Sequence, residues 1–264
     1  MCDKIRDPRN LRQVIAGGRN AERKQFPHMA LIGYGPDPTN ADWVCGGTII
    51  TNKYILTAAH CISSPALGKI KYAALGILKR DDDQRMWHIY DIVQIIGHPD
   101  YQPPSKYHDI ALLKTGKDIM FTDSVLPACL LKDPSKEATV AIATGWGTMG
   151  HRKPLAEILQ MVEVVRFQDT DCRRAYPVHR HLANGYDPTT QICYGSVEEI
   201  NDTCEGDSGG PLQMDARPGM QCMAIVFGVT SYGKACGYRG SSGMYTKVSH
   251  YIPWIESIVG RLPY

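Results

Sequence analysis

Between positions 203 and 211 the chain reads Thr203-Cys204-Glu205-Gly206-Asp207-Ser208-Gly209-Gly210-Pro211. Three glycines and a proline in nine residues break regular structure and let the backbone turn tightly. Ser208 sits inside that turn as a candidate nucleophile. A serine hydroxyl is a weak nucleophile at neutral pH and needs a base beside it. The glycines would let backbone N–H groups converge on a developing oxyanion instead of joining a strand ladder. Taken alone, Gly-Asp-Ser-Gly also describes an ordinary turn. A chemical role therefore requires partners elsewhere in the chain.

Two such partners are present. Upstream lies Leu56-Thr57-Ala58-Ala59-His60-Cys61, and between the two stretches lies Asp109-Ile110-Ala111-Leu112-Leu113. The order His, Asp, Ser is one of the three chain orders that build a serine nucleophile triad. On these motifs the chain resembles the chymotrypsin-like (trypsin-type) serine proteases over about residues 15–260. The resemblance implies acyl transfer, with Ser208 attacking, His60 as proton acceptor and donor, and Asp109 orienting the imidazole. It implies an oxyanion hole from the N–H groups of Gly206 and Ser208, with Ser231 supporting Asp109 at the substrate-binding wall. This chemistry calls for no metal and no cofactor.

With 264 residues the chain can bury a large core, and its formal net charge is only +2. No basic block points to nucleic acid or to an anionic membrane. No apolar run reaches the length of a membrane span. Residues 1–12 are polar and charged and lack the apolar core of a signal peptide. Nine cysteines nevertheless suit an oxidising, extracellular compartment. The reading that joins these facts is a fragment of a longer secreted precursor; the competing one is a cytosolic protein with reduced thiols.

Runs rich in β-branched residues and broken by Gly, Pro and Asn predict strands at 29–34, 43–50, 53–57, 70–77, 88–96, 110–114, 139–143, 160–167, 223–229 and 243–247. Helical spacing appears at 251–260, through Ile252, Ile255, Ile258 and Val259, and a short helix is expected near 169–176. The chain is thus all-β with a C-terminal helix. This matches the two six-stranded antiparallel β-barrels that the resemblance implies, with the active site in the cleft between them. Residues 1–14 read as a linker or activation segment and 15–264 as the peptidase domain.

In the family that the chain resembles, cleavage before Ile15 would free an ammonium that pairs with Asp207. Val14, rather than Arg or Lys, precedes Ile15. The activator is then one that prefers a small aliphatic residue, or the zymogen is rarely cleaved. The resemblance also implies disulfides Cys45–Cys61, Cys172–Cys193 and Cys204–Cys236, with Cys2–Cys129 tethering the leading segment and Cys222 left over. Ala141 and Met214 stand where a further family bridge is common. Asp202 falls where trypsin-like members carry the acid at the base of the substrate pocket, and Gly233 and Gly243 at its two small wall positions. A buried carboxylate at the end of an open pocket selects Arg or Lys. Tyr194 and Tyr232 replace residues more usual at the pocket and are expected to alter it.

The sequon Asn201-Asp202-Thr203 is expected to stay unmodified, because a glycan there would block the pocket. Asp81-Asp82-Asp83 reads as a solvated charge run rather than a calcium site. Several phrases, among them Thr170-Asp171-Cys172 and Asn201-Asp202-Thr203-Cys204, resemble arthropod clip-domain proteases of the snake and persephone type. Those are extracellular cascade enzymes of innate immunity and development, so protein substrates, downstream protease zymogens and serpin-type inhibitors are the partners implied. The alternative is a non-catalytic, protease-like regulator that binds cascade partners, which Val14 keeps open.

Overall fold

The computed structural model describes residues 18–148, 154–195, 207–216, 222–233 and 242–262. Two closed six-stranded antiparallel β-barrels make up the molecule. The first runs in the order Met29–Tyr34, Asp42–Ile49, Tyr54–Thr57, Ala111–Thr115, His88–Gly97 and Gly68–Leu75, and closes back on Met29–Tyr34. The second runs Val140–Gly145, Pro211–Asp215, Ala224–Gly233, Ser242–Lys247, Gln191–Gly195 and Gln160–Arg166, and closes on Val140–Gly145. Closure pairs each of the twelve barrel strands on both sides.

Each barrel is fastened to the other by a segment from the opposite end of the chain. The short N-terminal strand Arg19–Asn20 pairs with Gln160–Arg166 of the second barrel. The C-terminal helix Val248–Val259 sends Tyr251, Ile252 and Ile255 into the core that holds Ile55, Leu112 and Leu113 of the first barrel. Alternation explains the barrel walls. In Met29–Tyr34, Ala30 and Ile32 face that core, while Met29 and Leu31 join a second apolar cluster with Trp43, Trp146 and Met161. Residues from both barrels line the latter cluster, so the seam between them is itself a core.

Three disulfides lie among the described residues. Cys45–Cys61 and Cys172–Cys193 are formed, the first joining a barrel strand to the turn that carries His60. Cys129 is bonded to Cys222, not to Cys2. The reason is local: the strand Cys129–Leu130 lies parallel to Ala224–Gly233, with Cys129 opposite Ile225. That pairing brings Cys222, three residues earlier, to a Cα separation of 5.7 Å, within bonding range. Cys222 is therefore not left over. Cys2, Cys204 and Cys236 lie outside the described residues. Ala141 and Met214 pack together in the second barrel's apolar cluster, where the resemblance would have placed a bridge.

Candidate active site

His60 occupies the 3-10 turn Ala59–Ile62, immediately after the strand Tyr54–Thr57. Tyr34 donates its hydroxyl to the Cys61 carbonyl, so the turn is held from beneath as well as by the Cys45–Cys61 bridge. Asp109 leads into the neighbouring strand Ala111–Thr115 and is 1% exposed. Its two oxygens receive both donors of His60, the backbone N–H at 2.8 Å and Nδ1 at 2.7 Å. A carboxylate only accepts, so Nδ1 carries the proton and Nε2 is left with its lone pair. Ser231 Oγ donates to the same carboxylate. Thr246 Oγ1 donates to the Asp109 carbonyl at 2.8 Å.

Burial by itself would raise the Asp109 pKa. The adjacent His60 and the three hydrogen bonds outweigh it and hold the carboxyl below its ordinary value. The group therefore stays an anion at neutral pH, facing the one imidazole that can use it.

Ser208 comes from the second barrel, in the turn before Pro211–Asp215. Its carbonyl takes a hydrogen bond from Gly46 N–H of the first barrel, 2.8 Å away. Cys61 Sγ lies 3.6 Å from that carbonyl and 3.8 Å from His60 Nε2, so serine and histidine meet over one disulfide. The Ser208 hydroxyl makes no hydrogen bond to His60 among the described residues. Such bonds are often loose without substrate and tighten with it. Gly209 is required here: its φ is +80°, and a Cβ would stand 2.2 Å from Thr57 Oγ1 and 2.5 Å from the Gly46 carbonyl. Any side chain would wedge the barrels apart at the nucleophile.

Asp207 turns its carboxylate away from Ser208 and toward Gly147, whose N–H donates to Oδ1 at 2.9 Å. A Cβ on Gly145 would lie 2.1 Å from the same oxygen, so the pair Gly145 and Gly147 makes the room it needs. Ile15, Gly206 and Asp202 lie outside the described residues.

Gly233 and Gly243 stand opposite each other in the register of their two strands. Ser231, two residues before Gly233, is buried and directs its hydroxyl at Asp109. Tyr194 has its ring fully buried in the second barrel beside Phe227 and Tyr245, and its hydroxyl donates to the Ala138 carbonyl at 2.6 Å. Tyr232 packs edge-on against Tyr176 at 5.6 Å, with Lys106 Nζ 5.3 Å from its ring centre. The Thr246 and Tyr34 contacts were not legible beforehand. They join residues far apart in the chain and carry no motif.

Residues 15–255 match the trypsin family. The chain belongs to that family. It is 34% identical over 249 residues to the serine protease snk of Drosophila melanogaster, covering 93% of this chain and 57% of that protein. It is 32% identical to the venom serine protease Bi-VSP of Bombus ignitus, covering 90% and 66%. It is 31% identical to melanization protease 1 of Drosophila melanogaster, covering 95% and 66%. The chain thus spans little more than half the length of snk. The family is one of serine-type endopeptidases.

Proposed function

We propose that the chain is the catalytic domain of a secreted serine endopeptidase that hydrolyses peptide bonds after Arg or Lys. The observation that carries this reading is the anionic, buried Asp109 gripping both donors of His60 in the cleft that Ser208 enters from the other barrel. In the mechanism, Ser208 Oγ attacks the scissile carbonyl and gives its proton to His60 Nε2. Asp109 stabilises the imidazolium. The N–H groups of Gly206 and Ser208 hold the oxyanion; losing one such donor costs about 10²–10³ in rate. His60 then protonates the leaving amine, the acyl-serine forms, and a water deprotonated by His60 releases the product.

Asp202, with Gly233 and Gly243 as small walls, is the specificity acid in this proposal. The opposed pairing of the two glycines supports an open wall. Residues 1–14 serve as an activation segment, and a new terminus at Ile15 pairs with Asp207. The glycine-lined niche around the Asp207 carboxylate supports that pairing. The disulfides support an oxidising compartment, and no helix among the described residues is long and apolar enough to cross a membrane. The name melanization protease carried by one relative supports a place in an extracellular cascade, with protein substrates such as downstream zymogens and with serpin-type inhibitors.

The test is cleavage of a fluorogenic Arg substrate by the chain as expressed, by a variant with an engineered cut site immediately before Ile15, and by that variant carrying Ser208→Ala. Turnover in the cut form alone, abolished by Ser208→Ala, is the expected result. No turnover of Arg, Leu or Phe substrates from a confirmed Ile15 terminus would leave the non-catalytic regulator as the better reading.

A further inference from the structure

Behind the Asp109 strand lies a group of side chains for which peptide hydrolysis has no use. His98 and His108 stack ring on ring, their centres 5.3 Å apart and their planes 15° from parallel. Tyr251 and Trp254 of the C-terminal helix each pack on His98 with centres 5.0 Å away. Asp100 follows in the same turn, its Oδ2 3.8 Å from His98 Nδ1. One donor atom from each of His98, Asp100 and His108 lies within 4.8 Å of the other two.

The orientation of His108 is fixed. Its Nδ1 is 3.0 Å from the Tyr251 hydroxyl, which leaves Nε2 for another partner. A histidine whose second nitrogen is held by an outer hydrogen bond is the usual form of a metal-binding imidazole. His108 also has φ +55°, a left-handed conformation that is unfavourable for a side-chain-bearing residue and must be held by its surroundings. Asp100 and His108 both line an open surface groove that also includes Arg173 and His181, so an ion has a path from solvent.

We propose that His98, Asp100 and His108 form a binding site for a zinc-class divalent transition-metal ion. Two imidazoles and one carboxylate suit zinc and its neighbours, whereas calcium and magnesium take oxygen ligands. Zinc–ligand bonds of about 2.0–2.1 Å put tetrahedral donors roughly 3.4 Å apart, so donors that lie within 4.8 Å of one another must close by up to about 1.4 Å. Asp100, with 69% of its side chain exposed, is free to turn inward and close that gap. Water takes the remaining position.

The site is one peptide bond from the Asp109 backbone. Ile110 N–H is bonded to the His108 carbonyl at 2.8 Å, and Asp109 holds His60 through its carboxylate. An ion that draws His108 toward Asp100 therefore acts on the His60–Asp109 pair and lowers turnover. This consequence for activity rests on the peptidase reading; the ion site itself does not.

The binding test uses the full chain carrying Ser208→Ala, stripped with a chelator and titrated with zinc chloride by calorimetry. One ion per chain is expected, weakened at least tenfold by Asp100→Asn and by His98→Gln. Binding should persist when His179 and His181, a second neighbouring pair, are both changed to Gln. Asp100→Asn is a surface change, so its folding is secure, and the metal-free melting temperature of each variant is read alongside. No binding at submillimolar zinc, or equal binding by the two ligand variants, would overturn the proposal. So would an ion lost in His60→Ala and kept in Asp100→Asn. Because binding is read in an inactive chain, failure of the peptidase assay leaves this result intact.

Discussion

At the scale of single residues, the site depends on how Asp109 is satisfied. Its carboxylate is buried and takes two bonds from His60 and one from Ser231. Hydrogen bonds to a buried charge are worth about 1.5–3 kcal/mol each. Ser231→Ala is thus expected to lower kcat of the activated enzyme roughly 10–100-fold while leaving KM nearly unchanged, because the lost bond acts on the imidazolium and not on bound substrate. Steady-state kinetics on the Arg substrate read this directly; a raised KM with kcat intact would assign Ser231 to the pocket wall instead. His60, Asp109 and Ser208 were legible because each sits in a motif whose order carries chemistry. The stacked His98 and His108 were not, since their contact is made by the turn between two strands and by a helix some 140 positions on.

At the scale of elements, strands with β-branched or aliphatic runs were legible even when short, as at Tyr54–Thr57 and Ala111–Thr115, and strands without such runs were not. Gln191–Gly195 is five residues of mixed type, and Pro211–Asp215 begins at a proline after two glycines. Each is a strand because a neighbouring strand of the second barrel pairs with it on either side, a tertiary cause with no local signature. The C-terminal helix starts at Val248, three residues before its periodic stretch, and contains Pro253. The Cys129–Cys222 bridge is likewise a product of strand pairing. Mass mapping of the non-reduced protein should recover a linked 129–222 peptide, and a 2–129 peptide would refute the pairing. The bridge closes a separation of 93 residues. A loop of that length gives an upper estimate of about 4–5 kcal/mol from the unfolded chain. Cys129→Ser with Cys222→Ser should therefore lower the urea midpoint clearly at neutral pH.

For the whole molecule the decisive junction is the seam between barrels, where His28 lies fully buried. Its carbonyl receives Ile49 N–H at 2.9 Å, and the next residue, Met29, takes a hydrogen bond from Thr144 of the second barrel at 3.1 Å. The side chain of Gln213, from the second barrel, lies beside its ring. Burial outweighs the Gln213 hydrogen bond, which favours the charged ring, and lowers the pKa from 6.5 to about 4, so the folded protein keeps the ring neutral. The unfolded chain protonates the same histidine near pH 6.5. Between those values the unfolded state binds the extra proton, so stability is greatest above pH 6.5 and falls as pH drops toward 4. A shift of this size corresponds to about 3 kcal/mol over the window. His98 and His250, also held low by burial, add in the same direction but sit nearer solvent. Urea midpoints measured at pH 7.0, 5.5 and 4.5 should decline for the parent chain and decline much less for His28→Gln. Parallel pH curves for the two proteins would show that the seam does not depend on a neutral His28. A flattened curve would mean that mild acid separates the barrels first at this histidine, and with them Ser208 from His60, before Asp109 is protonated.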